Sequence, residues 1–491
     1  MSKKVPTLSH PVWFRQRERG KQIPLRYSNA FNKSLNSSIS AYQSWIKEEN
    51  SESVHGGVLT LDFSPDGALL VAGCARNSFL TFDPLSCKLI RTVDNAHESS
   101  VTNVKFLDSR TFATGSSDKT VCLWDTRNLK TRLRTFRGHA NTIGNIDFSP
   151  KNNLLITSGL DGIIYSWDMK ESVETEICRK IFESYILLRH RLIVDESKMV
   201  ISTARGYLIL IHDLDLNTLA LDEIFGITYM KETVTKPHSI ANRRRNRVEI
   251  VADFPYPNSF SVISALEVHP EGWSAICRST CAASEEEWTS VHDIRDTEPS
   301  EDPQLQSAAG AEHRVEDGRR CGERGDEAGA TGPFRAVSPP PGPSPAPSGA
   351  LVPASPTRSR ASSLVLEPSS FDCRDSSVAQ WNPAPFSRIP RLTHCFQEKF
   401  DNERYIDNLC ISADGRLICS PFISGIRLLT FLPECSEVPV PLSQSVQSRL
   451  HEFKTYVSDT EIVVCSKFSP RHSLLAIGCL GGRLGWYQPV L

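Results

Sequence analysis

Apolar and polar positions alternate along this chain in short runs that turn residues interrupt. VLTLDF (Val58–Phe63) is followed by Ser64-Pro65-Asp66-Gly67, then by ALLVAG and SFLTFD. Period-two alternation bounded by Gly, Pro, Asp and Ser predicts short antiparallel strands. The pattern returns in two longer copies, VTNVKFLDSRTFATGSSDKTVCLWDTR (Val101–Arg127) and IGNIDFSPKNNLLITSGLDGIIYSWDMK (Ile143–Lys170). Each has a His about four residues upstream, His97 and His139, and each closes on Trp-Asp, with Trp124 and Trp167 43 residues apart.

A period of ~40–45 residues with His at one end and Trp-Asp at the other is that of a WD40 blade. Further runs fit the same unit with weaker punctuation. Arg189–Asp215 has His212-Asp213 in the Trp-Asp slot, Ser261–Arg295 and Tyr405–Pro433 follow, and a last run begins at Glu461. With Val58–Arg91 they make seven, a common propeller size. The expected fold class is all-β, a seven-bladed WD40 β-propeller with a short N-terminal helical arm and a long disordered insertion.

The expected boundaries are an N-terminal arm over residues 1–52, blades one to five over 53–295 with an insertion at about 231–260, a Pro/Ser-rich disordered insertion over 296–385, and blades six and seven over 386–491. The long insertion, with SPPPGPSPAPSG at its centre, is too poor in apolar residues to offset the entropy of ordering. It is expected to connect blade five to blade six. In the arm, Phe31, Leu35, Ile39, Tyr42 and Ile46 follow spacings of 4, 4, 3 and 4 and predict one helix face, on a Ser- and Asn-rich background of poor helix propensity. Blade seven ends soon after its third strand, and Glu48–His55 is expected to supply the fourth and hide the edge.

Composition narrows the function. With 39% hydrophobic residues the chain can bury a core, and a formal charge of −2 gives no global pull toward nucleic acid or anionic lipid. No apolar run reaches the ~18 residues of a membrane span, and the N-terminus lacks a signal-like apolar stretch. A nuclear or cytoplasmic location, with no membrane partner and no nucleic acid, is the expectation. The 14 cysteines form no CxxC pair and no matched His spacing, so neither a metal, a redox motif nor a cofactor is expected. GCLGGRLG (Gly478–Gly485) lacks the phosphate-loop arrangement.

His97, Thr114, Asp118 and Trp124 recur as His139, Thr157, Asp161 and Trp167 at the same internal spacing. One set alone would resemble a nucleophile constellation. Two sets at blade spacing read as hydrogen-bonded structural tetrads, so no catalytic residue and no enzyme are expected. Arg243–Arg247 is either a solvated loop or an import or nucleic-acid patch. Ser338, Ser344 and Ser355, each before Pro, and Ser362 in a basic context are candidate phosphorylation sites.

Trp124-Asp125-Thr126-Arg127 sets a guanidinium two residues beyond the Asp, at the blade's rim, where it can pair bidentately with a partner's carboxylate. Lys170 holds that place in the next blade, keeping the charge and losing the fork. With the basic arm Trp13-Phe14-Arg15-Gln16-Arg17-Glu18-Arg19, and the phrases ILIHDLDL and SGIRLLTF, the chain resembles the WD-repeat substrate receptors of the cullin-four RING ubiquitin ligase. The resemblance spans nearly all of the blades. It implies that Arg127 contacts the DDB adaptor with Asp125 holding the turn, and that Lys170 stands where some members have a second Arg. It also implies that Trp13, Phe14, Arg15 and Arg17 lie in an adaptor-docking segment, and that protein substrates of unknown identity are presented for ubiquitination. The alternative is a general WD40 scaffold in another assembly, such as an RNA or chromatin complex.

Overall fold

The structure, a computed structural model, describes residues 32–46, 48–49, 52–170, 178–184, 187–216, 219, 248–255, 261–281, 286–296, 390–398, 408–423, 425–436, 448–457 and 461–490. Residues 297–380 lie outside these.

Among the described residues the chain forms seven blade sheets built around antiparallel hairpins, and one separate two-stranded sheet. Blade one is Val58–Phe63, Leu70–Cys74, Phe79–Asp83 and Lys88–Val93. Blade two is Val101–Phe106, Thr111–Ser116, Thr120–Asp125 and Arg134–Arg137, and blade three is Ile143–Ser149, Leu154–Gly159, Ile163–Asp168 and Cys178–Glu183. Blade four is Leu187–Leu192, Met199–Thr203, Leu208–Ile211 and Val248–Val251. Blade five is Ser261–Val268, Ser274–Cys281, Glu286–Asp293 and Leu392–Glu398, with Ser448–Arg449 added in parallel. Blade six is Cys410–Ile411, Leu417–Phe422, Gly425–Thr430 and His451–Val457. Blade seven is Val463–Phe468, Leu475–Cys479, Leu484–Pro489 and, from the other end of the chain, Ile39–Trp45.

Alternation along each strand gives a blade two apolar faces, and each face meets a neighbour. Seven buried apolar clusters result, one for each interface, including Cys465, Ala476 and Trp486 of blade seven against Val58, Ala72 and Phe82 of blade one. Seven interfaces for seven blades is the count of a closed ring.

Three expectations are corrected. The closing strand is Ile39–Trp45, not Glu48–His55; Glu48–Glu49 pairs only with Glu52–Ser53. Likewise the helix expected across 31–46 is confined to residues 32–37. The period-four spacing misled because the third strand of blade seven offers a free edge, and a Ser-rich segment of low helix propensity gains more by pairing there. Ile39 is buried, Lys454 Nζ donates to its carbonyl at 2.7 Å, and Trp45 packs edge-on against Phe82 of blade one at 5.0 Å. Second, Leu392–Glu398 pairs with Glu286–Asp293, so the long insertion interrupts blade five between its third and fourth strands instead of joining five to six. Its two ends are held at blade four: Lys198 meets Asp296 at 2.9 Å, and Arg391 donates to both oxygens of Glu249 at 2.9 and 2.7 Å. Third, Val248–Val251, inside the expected 231–260 insertion, is the outer strand of blade four.

The innermost strands carry a further pattern. At the next-to-last position of the shared motif stand Asp62, Lys105, Asp147, Arg191, Glu267, Cys410 and Lys467, one per blade in order. Their signs alternate around the channel. Lys105 meets Asp147 at 2.9 Å, Arg191 meets Glu267 at 3.6 Å and Lys467 meets Asp62 at 3.6 Å. Asp62 and Asp147 also accept the backbone N–H of the following blade, from Phe106 at 2.8 Å and Leu192 at 2.9 Å. Burial acts to raise the Asp147 carboxyl, but Lys105 and Arg191 outweigh it and hold it well below the usual carboxylate range.

Candidate docking rim

Each blade has two ends. At one, the turn between the second and third strands carries Asp118 in blade two and Asp161 in blade three. There His97 Nδ1 meets Asp118 at 3.0 Å, His97 Nε2 meets Thr114 Oγ1 at 2.8 Å, and Trp124 Nε1 donates to the same hydroxyl at 2.9 Å. Blade three repeats the arrangement, with His139 to Asp161 at 3.0 Å, His139 to Thr157 at 2.8 Å and Trp167 Nε1 to Thr157 at 2.9 Å. These side chains satisfy one another inside the blades, with their polar atoms turned away from any cleft.

At the opposite end the chain turns from third to fourth strand, and an Asp caps the turn. Asp125 Oδ1 accepts the backbone N–H of Arg127 at 2.9 Å, and Asp168 Oδ1 accepts that of Lys170 at 2.8 Å. This short side chain bonding two residues ahead is an Asx turn. It fixes the corner and sends the second residue outward, so Arg127 and Lys170 are both exposed. Asp125 is held a second time, by Arg110 Nε at 3.1 Å and its terminal amine at 2.9 Å on Oδ2. The Arg110 bond, then the Arg127 N–H, lowers the Asp125 carboxyl from its ordinary value. With both oxygens of Asp125 engaged, the Arg127 guanidinium donates to no described residue.

The same turn occurs in two blades where the Trp is absent and sequence reasoning named no rim residue. Asp83 Oδ1 accepts the N–H of Leu85 at 3.0 Å in blade one, and Asp293 Oδ1 accepts that of Arg295 at 2.9 Å in blade five. The surviving Asp of the Trp-Asp slot was the available signal. Arg295 folds back, its Nε donating to Asp293 Oδ1 at 3.0 Å, so that corner is closed on itself.

Trp13, Phe14, Arg15 and Arg17, the Arg243–Arg247 cluster, and Ser338, Ser344, Ser355 and Ser362 lie outside the described residues. Among the described residues no group of three or more His, Cys, Asp or Glu side chains is placed to hold a metal ion, and no helix is long and apolar enough to cross a membrane.

Comparison with known proteins agrees with this architecture. The WD domain, G-beta repeat family matches residues 48–80, 87–125 and 130–168, the three best-punctuated blades. The Cps50 (Swd1) β-propeller domain of Myceliophteria thermophila superposes with a TM-score of 0.53 over 92% of this chain and 100% of that one, at 12% identity, and so shares the fold. DDB1- and CUL4-associated factor 10 of Danio rerio is 31% identical over 465 residues, covering 89% of this chain and 75% of that protein. The Homo sapiens protein is 32% identical over 473 residues (89% and 70%), and that of Xenopus laevis 31% over 517 residues (97% and 94%). Such similarity, sustained through all seven blades rather than confined to the repeats that any propeller shares, means that this chain belongs to the DDB1- and CUL4-associated factor 10 family.

Proposed function

We propose that this chain is a substrate receptor of a cullin-4 RING ubiquitin ligase. It docks on the DDB1 adaptor, presents protein substrates for ubiquitination and performs no catalysis itself. The observation that carries this reading is kinship along most of the chain to proteins named for association with DDB1 and CUL4, in a molecule whose blade-two corner holds Arg127 outward. A guanidinium presented by a doubly anchored Asx turn loses little freedom on pairing, which favours a charge-assisted contact. The basic segment containing Trp13, Phe14, Arg15 and Arg17 supplies a second contact, and two linked contacts raise affinity through effective concentration. In this reading the protein works in the nucleus or cytoplasm, where the ligase would act.

The test is binding of the purified chain to DDB1. Wild type binds, and Arg127→Ala weakens binding at least about tenfold, a loss of ~1.4 kcal/mol. Deletion of residues 1–31, which stops short of the closing strand, weakens it as well. Failure of folded wild type to bind, or unchanged binding by both variants, would leave a propeller scaffold of another assembly.

A further inference from the structure

Three adjacent blades present their rim corners outward, and the residues there differ in kind. Blade one offers Leu85, 66% exposed, on the Asp83 turn. Blade two offers Arg127 and blade three Lys170, both exposed. The series stops on the next blade: Asp213 there takes a left-handed φ of 47° instead of capping a turn, and an acid, Asp215, follows it. Blade seven, on the other side, has its corner covered by the N-terminal strand, with Ile39 opposite Pro489.

After the Asp125 that caps the corner, the chain runs through a stretch whose charges are all positive. Residues 126–146 contain Arg127, Lys130, Arg132, Arg134 and Arg137 and not one Asp or Glu. All but Arg134, which lies over the Phe136 ring at 4.7 Å, are exposed. Beside this basic strip lie exposed apolar side chains, Leu133 at 49% and, on the outer strand of blade one, Ile90 at 59%. A corner with Arg127, Lys130 and Arg132 around the exposed Leu133, next to a blade that exposes Leu85, has the composition of an interface, with an apolar anchor and a charged surround.

We propose that the docking surface is the shared rim of blades one to three. Its partner is a folded protein with an acidic surface flanking an apolar pocket that receives Leu85. The inference rests on the adaptor reading and deepens it, giving Leu85 the anchoring role and the strip of Lys130 and Arg132, in the loop that follows Arg127, the role of steering the encounter. A buried apolar anchor acts chiefly on the dissociation rate, whereas rim charges act on the association rate and its salt dependence.

The experiment measures association and dissociation rates with DDB1 at two salt concentrations, for wild type and three variants that keep the fold. Leu85→Ala is expected to raise the dissociation rate about tenfold with the salt dependence unchanged. Lys130→Gln and Arg132→Gln together are expected to slow association severalfold and flatten its salt dependence. Arg295→Ala, at the self-closed corner of blade five, is expected to stay within about twofold of wild type. No binding by folded wild type would overturn both the adaptor reading and this one. Binding that depends on Arg127 but is indifferent to Leu85 and the strip would overturn only this one. Tight binding of a short DNA duplex through the strip, with the adaptor unaffected, would assign these cations to nucleic acid and overturn it too.

Discussion

A tetrad side chain and a rim side chain can belong to one strand and obey opposite logic. Trp124 and Asp125 are adjacent, yet the indole points into the blade while the carboxylate caps the corner that presents Arg127. The tetrad is built to be satisfied. Burial would raise the Asp118 carboxyl, but hydrogen bonds from His97 and Thr120 and from the Glu98 N–H bring it well below its ordinary value. A depressed carboxylate contributes stability that is present above its unfolded value of ~4 and lost as pH falls through the folded one. Asp118→Asn should therefore cost ~1–3 kcal/mol at neutral pH and make unfolding less sensitive to acid, whereas Trp124→Phe, which removes one donor and keeps most of the packing, should cost ~1 kcal/mol. Urea unfolding at pH 7 and at about pH 2.5, below the unfolded carboxyl value, checks both; equal losses at the two pH values for Asp118→Asn would contradict the charge argument. Neither change reaches the rim, so adaptor binding by the folded variants should be unaltered.

At the level of strands, Ile39–Trp45 is the fourth strand of blade seven and closes the ring, while residues 1–31 lie outside the described residues. Ile39 and Trp45 together bury apolar surface worth ~3–5 kcal/mol. Deleting residues 1–31 should leave the thermal midpoint nearly unchanged, and deleting residues 1–47 should lower it sharply or prevent folding. Equal midpoints for the two deletions would show that the strand closes nothing. This segment also shows where sequence reasoning stops. Blades two and three were legible because His, Thr, Asp and Trp must all be present for a tetrad to be satisfied. The outer strands Ile39–Trp45, Val248–Val251 and Leu392–Glu398 were not, because an outer strand answers mainly to the edge it covers. Ile39–Trp45 has the pattern of one buried residue followed by exposed ones, which no period reveals. The rim had the same character. Arg127 stood out through the Trp-Asp before it, whereas Leu85 is ordinary until its turn is seen beside the other corners.

Across the whole molecule, the alternating charges of the inner strands form one cyclic system. Alternation around an odd ring must set two like charges side by side unless one position is neutral, and Cys410 of blade six takes that position, between Glu267 and Lys467. Burial acts to raise the Glu267 carboxyl, but Arg191, Lys467 and Lys105 outweigh it and lower it, so the attraction reaches across the neutral blade. Lys467 is raised in turn: burial opposes its charge, but Glu267 and Asp62 outweigh it. Asp62 and Asp147 are buried and their cationic partners half-buried, so removing one should cost ~1–3 kcal/mol, between the exposed and buried limits. Three independent ion pairs and one ring make different predictions when a pair is reversed. Lys105→Glu with Asp147→Lys preserves that pair's attraction. In a ring it also sets the new acid beside Asp62 and the new amine beside Arg191. The double variant should then be no more stable than the worse of its two single variants, whereas independent pairs would return most of the loss. Cys410→Glu, which places an acid beside Glu267, should destabilise by more than Cys410→Gln does, with the excess shrinking as pH falls below ~4 and the acids protonate. Recovery of near-wild-type stability by the double reversal, measured by urea unfolding at low salt, would reduce the ring to separate pairs. Its absence would mean that the order of charges around the channel specifies which blade may follow which, and so helps a chain with degenerate repeats and a long insertion inside blade five to close as seven.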